Sequence, residues 1–302
     1  MKKVLLIYNP NAGKGKMKRS LSDVLELFHD NNWLVTVLPT RKARDAEELV
    51  AVYSEDYDLL VCAGGDGTIN EAASGLMKLS PETRIPCGYI PAGTTNDFGT
   101  SLNISKDIIQ AAQTVLSGSE FKHDIGSLND KYFAYIAGFG AFTGISYDTP
   151  QITKSIFGRA AYFLNGFAHL MKITPVRMTI TADKDTEITD EFLLGIICNT
   201  YSIGGIVNLK EDEAFLDDGK FEAIFIKNPS SPIQIQEIIN DIVKQNYQSS
   251  SLYYFKASHI KCKSEIPQAW ALDGEFGGDY TEVDIRNHPK AITFITEKFT
   301  QN

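Results

Sequence analysis

The stretch Leu59–Glu71 reads LLVCAGGDGTINE, and its residue types suit the binding of a phosphorylated ligand. Leu59–Ala63 is a short apolar run, consistent with a buried parallel strand. Gly64 and Gly65 remove every side chain where that strand ends, so a bulky group can approach the backbone. After Asp66, Gly67 and Thr68, the spacing of Ile69, Ala72, Ala73 and Leu76 predicts a helix. Strand, glycine turn and helix together offer unpaired N–H groups and the positive end of a helix dipole to an anion. Asp66 disturbs that picture, since a carboxylate about 4 Å from phosphate is repelled by several kcal/mol at an effective dielectric of ~20. A Mg²⁺ ion between them removes the conflict, because a hard cation takes oxygen from both groups. Asp66 can equally be a plain helix cap. On this stretch alone the two readings stand level; the functional one is a Mg²⁺–nucleotide site, with ATP as the nucleotide.

Two further loops break the tie. Val4–Tyr8 predicts a strand that runs into NPNAGKGK, where Pro10 fixes a turn, Gly13 opens it, and Asn9 can bond backbone or phosphate. The basic run Lys14, Lys16, Lys18 and Arg19 follows, a solvated face when taken by itself. Cys87–Ile90 predicts another strand, ending in PAGTTNDF, which packs Thr94, Thr95, Asn96 and Asp97 into one turn. A threonine there can donate to phosphate and Asp97 can hold Mg²⁺ or its waters; alone, the turn reads as a loop with a capping Asn–Asp. Leu34–Leu38 supplies one more strand, and helices are marked by Leu21–Phe28, Ala46–Tyr53 and Ile108–Leu116. Strands alternating with helices over residues 1–125 predict a doubly wound parallel sheet that binds ligands at the carboxyl ends of its strands. All three glycine-bearing loops fall at such ends.

After Asp124 the pattern changes to strands: Lys131–Ala137, Val176–Ala182, Phe192–Thr200, Phe221–Lys227, Leu252–Lys263, Gln268–Leu272, Thr281–Arg286 and Ala291–Thr296. Asn129–Asp130, Asp218–Gly219 and Asp273–Gly274 supply turn signals between many of them. Helical stretches interrupt near Ser155–Met171 and Pro232–Gln245. The expected fold is thus α/β plus β: a nucleotide domain over 1–125, then a mainly antiparallel β-sandwich substrate domain over 126–289, with the cleft between them as the substrate site. Asp66, Asp97 and Asp124 form a candidate carboxylate cluster around one metal-bound water network. The turn Asp217–Asp218–Gly219 reads first as a hairpin and second as a cation site.

Of the 302 residues, 43% are hydrophobic and 22% charged, ordinary for a globular protein. A net charge of −9 lacks the basic footprint of a nucleic-acid binder. The four cysteines lie far apart with no CxxC pair, which predicts buried thiols in a reducing compartment. The apolar start breaks at Asn9–Pro10, short of a secretory core of ~7–15 residues, and no stretch approaches the ~18 apolar residues of a membrane span. A cytoplasmic protein is expected. The five histidines show no metal-ligand spacing, and neither a Walker A pattern nor a nucleophile elbow is present.

Taken together, NPNAG at Asn9–Gly13, GGDGTINE at Gly64–Glu71, PAGTTNDF at Pro91–Phe98, LDDG at Leu216–Gly219 and LDGE at Leu272–Glu275 resemble the diacylglycerol kinase catalytic-domain family, specifically its soluble bacterial lipid kinases. The motifs occur in family order and span nearly the whole chain. The resemblance implies ATP in the cleft and a lipid hydroxyl as acceptor, most simply diacylglycerol going to phosphatidic acid. It implies nucleotide contacts from Asn9, Pro10, Asn11, Ala12 and Gly13, from Thr40, from Gly64, Gly65, Asp66, Gly67, Thr68, Ile69, Asn70 and Glu71, and from Thr94, Asn96 and Asp97. It places a structural Mg²⁺ at the LDDG turn, on the Asp218 carboxylate with carbonyls near Phe215 and Lys220, beside Asp66, Asp97 and Asp124 as further metal candidates. The proton-accepting role falls on the DGE turn, with Asp273 favoured and Glu275 close behind. The terminal segment 290–302 is expected to return to the first domain. Transient contact with the inner membrane face is implied too, and oligomeric state is left open, a homodimer included. The apolar stripe Phe157, Ala160, Phe163, Phe167 and Leu170 reads as a helix packing on a sheet. Two rivals remain: an NAD kinase, which shares GGDGT, and a non-catalytic nucleotide-binding regulator.

Overall fold

A computed structural model describes residues 1–140, 174–184, 186–200, 202–203, 207–208 and 215–297. The expected helix Ser155–Met171 and its apolar stripe lie outside the described residues.

The N-terminal part alternates as expected. β1 (Lys2–Tyr8) pairs parallel with β2 (Trp33–Pro39) and β3 (Leu59–Gly64), and β3 pairs parallel with β4 (Cys87–Pro91). β3 is buried throughout, which suits its unbroken apolar sequence. The helices are α1 (Lys16–Arg19), α2 (Leu21–Asp30), α3 (Asp45–Tyr53), α4 (Asp66–Met77), α5 (Asp97–Ser101) and α6 (Ile108–Ser117). α2 buries Val24 and Phe28, one turn apart, and α6 buries Ile108, Ala111, Ala112 and Val115. α6 begins at Asp107, whose side chain accepts from the N–H groups of Ile109 and Gln110.

The remainder is mainly antiparallel. Its elements are β5 (Ser119–Leu128), β6 (Lys131–Phe133), β7 (Ile136–Phe139), β8 (Val176–Ala182), β9 (Thr186–Cys198), the short pair β10 (Ser202–Ile203) and β11 (Val207–Asn208), β12 (Phe221–Lys227), α7 (Pro232–Val243), β13 (Leu252–Ala257), β14 (His259–Leu272) and β15 (Glu275–Thr296). The sequence predicts a separate sandwich, whereas the hydrogen bonds join one 13-stranded network along the path β13-β12-β9-β7-β14-β15-β4-β3-β1-β2, with β5, β6 and β8 attached off it. Long strands are the reason. β15 pairs with β14 over its first half, with β5 along its second, and in parallel with β4 through Phe294 and Ile295. β9 and β14 each serve two partners on one edge, so β7 and β8 share a single slot between them. In that slot Phe139 faces Gly195 and Val176 faces Phe192.

Several expected strands merge or split. Lys131–Ala137 is two strands, interrupted at Ala134 and Tyr135, and Leu252–Lys263 breaks at Ser258, whose N–H donates to Asp183. Thr281–Arg286 and Ala291–Thr296 are one strand with a bulge between His288 and Ile292. Buried apolar residues form two clusters, and adjacent residues of β9 divide between them, Ile196 to one and Ile197 to the other, as a period of two requires. All four cysteines are buried and free.

Candidate active site

The three glycine-bearing loops meet above the carboxyl ends of β1, β3 and β4. Asn9 donates its N–H to Ala63 O at 2.9 Å, and its own side-chain oxygen accepts from Asn11 N–H at 2.9 Å, closing the NPNAG turn. Gly13 has φ +53°, and a Cβ there would stand 2.0 Å from Ala92 O. Only glycine lets the first loop lie against the third. Likewise a Cβ on Gly93 would stand 2.6 Å from Gly65 Cα, so the second and third loops touch backbone to backbone. Thr40 sits alongside, tied by its N–H to Tyr8 O at the end of β1.

The loops differ in what they leave free. Asn96, buried at φ +57°, accepts from Gly93 N–H and donates to Gly93 O, so its amide pins the PAGTTND turn. Thr94 and Thr95 remain exposed. At the head of α4 the N-cap is Gly65, with no side-chain cap, so Asp66 is not the plain cap that was weighed for it. Its Oδ1 accepts from Phe98 N–H at 3.2 Å, binding the second loop to α5, and its other oxygen has no hydrogen bond among the described residues. In the first turn of α4 the Thr68 N–H donates to Gly65 O at 3.0 Å, which leaves the Asp66 and Gly67 N–H groups as the helix-start donors for an anion.

The second half of GGDGTINE turns inward. Thr68 fills the space left by Gly64, and Ile69 is fully buried. Glu71 accepts from the N–H groups of Arg44 (2.8 Å) and Ala46 (3.1 Å), supporting the start of α3 from behind; burial raises its carboxyl. Asn70 donates to Asp273 and to Tyr132 O, joining α4 to the β14–β15 turn and to β6.

Asp273 and Gly274 have φ of +49° and +87°, and Leu272 pairs with Glu275, the signature of a two-residue hairpin turn between β14 and β15. Asp273 is only 4% exposed, and burial pushes its carboxyl up to about 6 against the pull of Ala134, Tyr135, Ile136 and Asn70. Glu275 is exposed, with Oε1 3.5 Å from the point where Gly67 would carry a Cβ. The structure therefore brings Glu275 to the phosphate-type loop and buries its neighbour.

Asp124 is not part of a metal cluster with Asp66 and Asp97. Among the described residues, no three acidic, histidine or cysteine side chains lie close enough to share an ion. Both Asp124 oxygens are taken, one by Gly219 N–H and one by Lys290 N–H, each at 2.7 Å. The carboxylate thus ties the LDDG turn to the β15 bulge; burial raises its pKa against those two bonds. In the LDDG turn Asp218 is exposed and accepts from Lys220 N–H at 2.9 Å with one oxygen. Its other oxygen has no hydrogen bond among the described residues, so the donor chemistry suits a hard cation shared with carbonyls near Phe215 and Lys220. Asp66 fits such an ion in the same way.

Comparison with known proteins agrees with this geometry. The family model "Diacylglycerol kinase catalytic domain" matches residues 3–128, a span holding all three loops. A diacylglycerol kinase of Bacillus subtilis is 35% identical over 280 residues, covering 92% of this chain and 91% of its own. This chain belongs to the diacylglycerol kinase family. A second relative, the diacylglycerol kinase of Staphylococcus saprophyticus, is 35% identical over 296 residues and covers 97% and 95% of the two chains. A crystal structure of a candidate diacylglycerol kinase from Bacillus anthracis superposes with a TM-score of 0.81 at 26% identity, over 98% of this chain and 97% of that one. The chain is a lipid kinase, and the kinase family implies ATP as co-substrate. Among its described residues no helix is long and apolar enough to cross a membrane.

Two residues of this kinase escaped the sequence reading. Tyr89 donates its hydroxyl to Gly64 O at 3.1 Å and lies 3.4 Å from Asn96 Oδ1, so a strand aromatic that reads as core also braces two loops. Tyr135 is buried beside Phe98, and burial together with the charges of Asp273, Asp66 and Asp97 raises its phenol far above the ordinary value. Its backbone N–H donates to Asp273 Oδ1 at 3.0 Å, which ties it to the DGE turn, while its ring lies against Phe98 of α5. Neither residue belongs to a motif, and no spacing rule marks them.

Proposed function

We propose that this kinase transfers the γ-phosphate of ATP to the hydroxyl of a lipid alcohol, diacylglycerol first among them, giving phosphatidic acid. The observation that carries the reading is the exposed Glu275 carboxylate set against Gly67 at the head of α4. Phosphoryl transfer asks for positioning and charge neutralisation more than covalent help. The loops of Asn9–Gly13, Gly64–Gly67 and Pro91–Asp97, with Thr40 and Thr94 beside them, hold the phosphates through backbone N–H groups. Mg²⁺ supplies charge neutralisation at the phosphates; Asp66 and Asp97 would hold it there, and Asp218 a second ion at the LDDG turn. Glu275 orients the acceptor hydroxyl and takes its proton late in the transfer. Tyr135 and the buried Asp273 shape the wall from which Glu275 projects.

This reading treats the chain as two domains, 1–125 completed by its C-terminal end and 126–289, with ATP and lipid meeting between them. A protein of this kind works in the cytoplasm at the inner membrane face, in transient contact with its lipid, as a monomer or a homodimer.

Labelled ATP offered with detergent-dispersed diacylglycerol, an isoprenoid alcohol, a sphingoid base, a glycolipid and NAD tests the assignment. Phosphate should appear on diacylglycerol, vanish on chelation of divalent metal and return with Mg²⁺. Glu275→Gln should lower turnover by roughly 10²–10⁴-fold while ATP still binds. Phosphate on NAD and on no lipid would overturn the proposal.

A further inference from the structure

Asp273 looks at first like a second base beside Glu275, and its hydrogen bonds argue otherwise. Oδ1 accepts from Tyr135 N–H at 3.0 Å and from Ile136 N–H at 2.9 Å. Oδ2 accepts from Ala134 N–H at 2.6 Å and from the Asn70 side-chain amide. A carboxylate offers about four lone-pair sites, and here all four are occupied. The Asp273 N–H adds a bond to Ile136 O at 2.9 Å, so the turn and the 134–136 segment hold each other in both directions. No acceptor capacity is left for a substrate hydroxyl, and the group is buried.

We propose that Asp273 is a positioning residue: it fastens the β14–β15 turn to the three consecutive N–H groups of Ala134, Tyr135 and Ile136 and, through Asn70, to α4, and so sets Glu275 against Gly67. Three elements far apart in sequence converge on one carboxylate. They are the turn that carries Glu275, the link between β6 and β7 that carries Tyr135, and the helix whose first turn faces the phosphates. The break between β6 and β7 follows from the same contact, because Ala134 and Tyr135 give their N–H groups to Asp273 instead of to a neighbouring strand. Asn70 is the bridge: it lies one turn into α4 from Asp66, and its amide is the side-chain link between α4 and the DGE turn. The proposal rests on the lipid-kinase reading for its effect on turnover, but not for the contact itself.

The test uses the full-length protein with Asp273→Asn, Asn70→Ala and Glu275→Gln. Each variant is followed by kcat and KM for ATP, and by hydrogen exchange at the Ala134, Tyr135 and Ile136 amides. Asp273→Asn should speed exchange at those amides at least tenfold and lower kcat less than Glu275→Gln does, with KM for ATP within twofold of the parent. Glu275→Gln should leave exchange unchanged. Asn70→Ala keeps the three backbone contacts and should lower kcat about tenfold with KM for ATP within twofold of the parent. If Asp273→Asn does not fold, Asn70→Ala decides, and an unchanged kcat overturns the proposal. A kcat in Asp273→Asn as low as that of Glu275→Gln, with exchange unchanged, also overturns it and makes Asp273 the proton acceptor. If the parent protein phosphorylates no lipid, the functional reading fails; exchange in Asp273→Asn then decides the positioning contact by itself, an unchanged rate overturning it.

Discussion

Glu222 lies fully buried on β12, with Lys256 Nζ 3.2 Å from one carboxylate oxygen across the β12–β13 pair. Burial pushes its carboxyl up to about 7, and Lys256 only partly offsets that cost. The folded state therefore binds this proton more readily than the unfolded chain. Stability gained from it rises as pH falls from about 7 towards the ordinary glutamate value near 4.5. Glu222→Gln removes the slope, so the stability of the parent relative to the variant should rise by on the order of 3 kcal/mol between pH 8 and pH 5, read from urea midpoints. A flat difference would place the carboxyl's pKa near its ordinary value. At this scale the sequence named residues better than it named their tasks. Asn96 and Glu71 stand in motifs, yet one pins a turn and the other braces α3, because a side chain's partner depends on which distant backbone arrives beside it. Glu222 carries no motif and alternates with apolar neighbours as a surface residue would, so its burial was invisible.

The LDDG turn and the β15 bulge are separate signals in the sequence and one unit in the structure, joined at Asp124. Its two oxygens satisfy Gly219 N–H and Lys290 N–H, and Asn199 donates to both Asp124 O and Leu216 O behind them. Asp124→Ala leaves two N–H groups without their acceptor and should cost about 3 kcal/mol, seen as a lowered denaturation midpoint. Asp124→Asn keeps one acceptor oxygen and should cost less. Equal, negligible losses would mean that solvent replaces the contact freely. The helices α2, α3, α4 and α6 and the strands β1–β4 were legible because local periodicity and turn chemistry fix them. β14 and β15 were not. Their irregular middles, Lys263–Gln268 in one and His288–Ile292 in the other, resemble strand ends when only the local sequence is read.

Over the whole molecule, the parallel pairing of Phe294 and Ile295 with Cys87 and Gly88 joins residues about two hundred positions apart. Periodicity cannot supply such a partner; family likeness did, by sending the terminal segment back to the first domain. Because β15 takes part in both regions of the sheet, the two should lose structure together. Calorimetry is expected to show one transition with equal van't Hoff and calorimetric enthalpies, and two resolved peaks would contradict it. The same strand is also clamped where its register with β5 shifts. Its bulge carries Lys290 at φ +53°, held by Asp124 on one side, while Arg84 donates to Ala291 O on the other. On both sides of that bulge β15 stays paired with β5. The bend is therefore pinned like a knee between two splints, by an aspartate from β5 and an arginine from the segment ahead of β4.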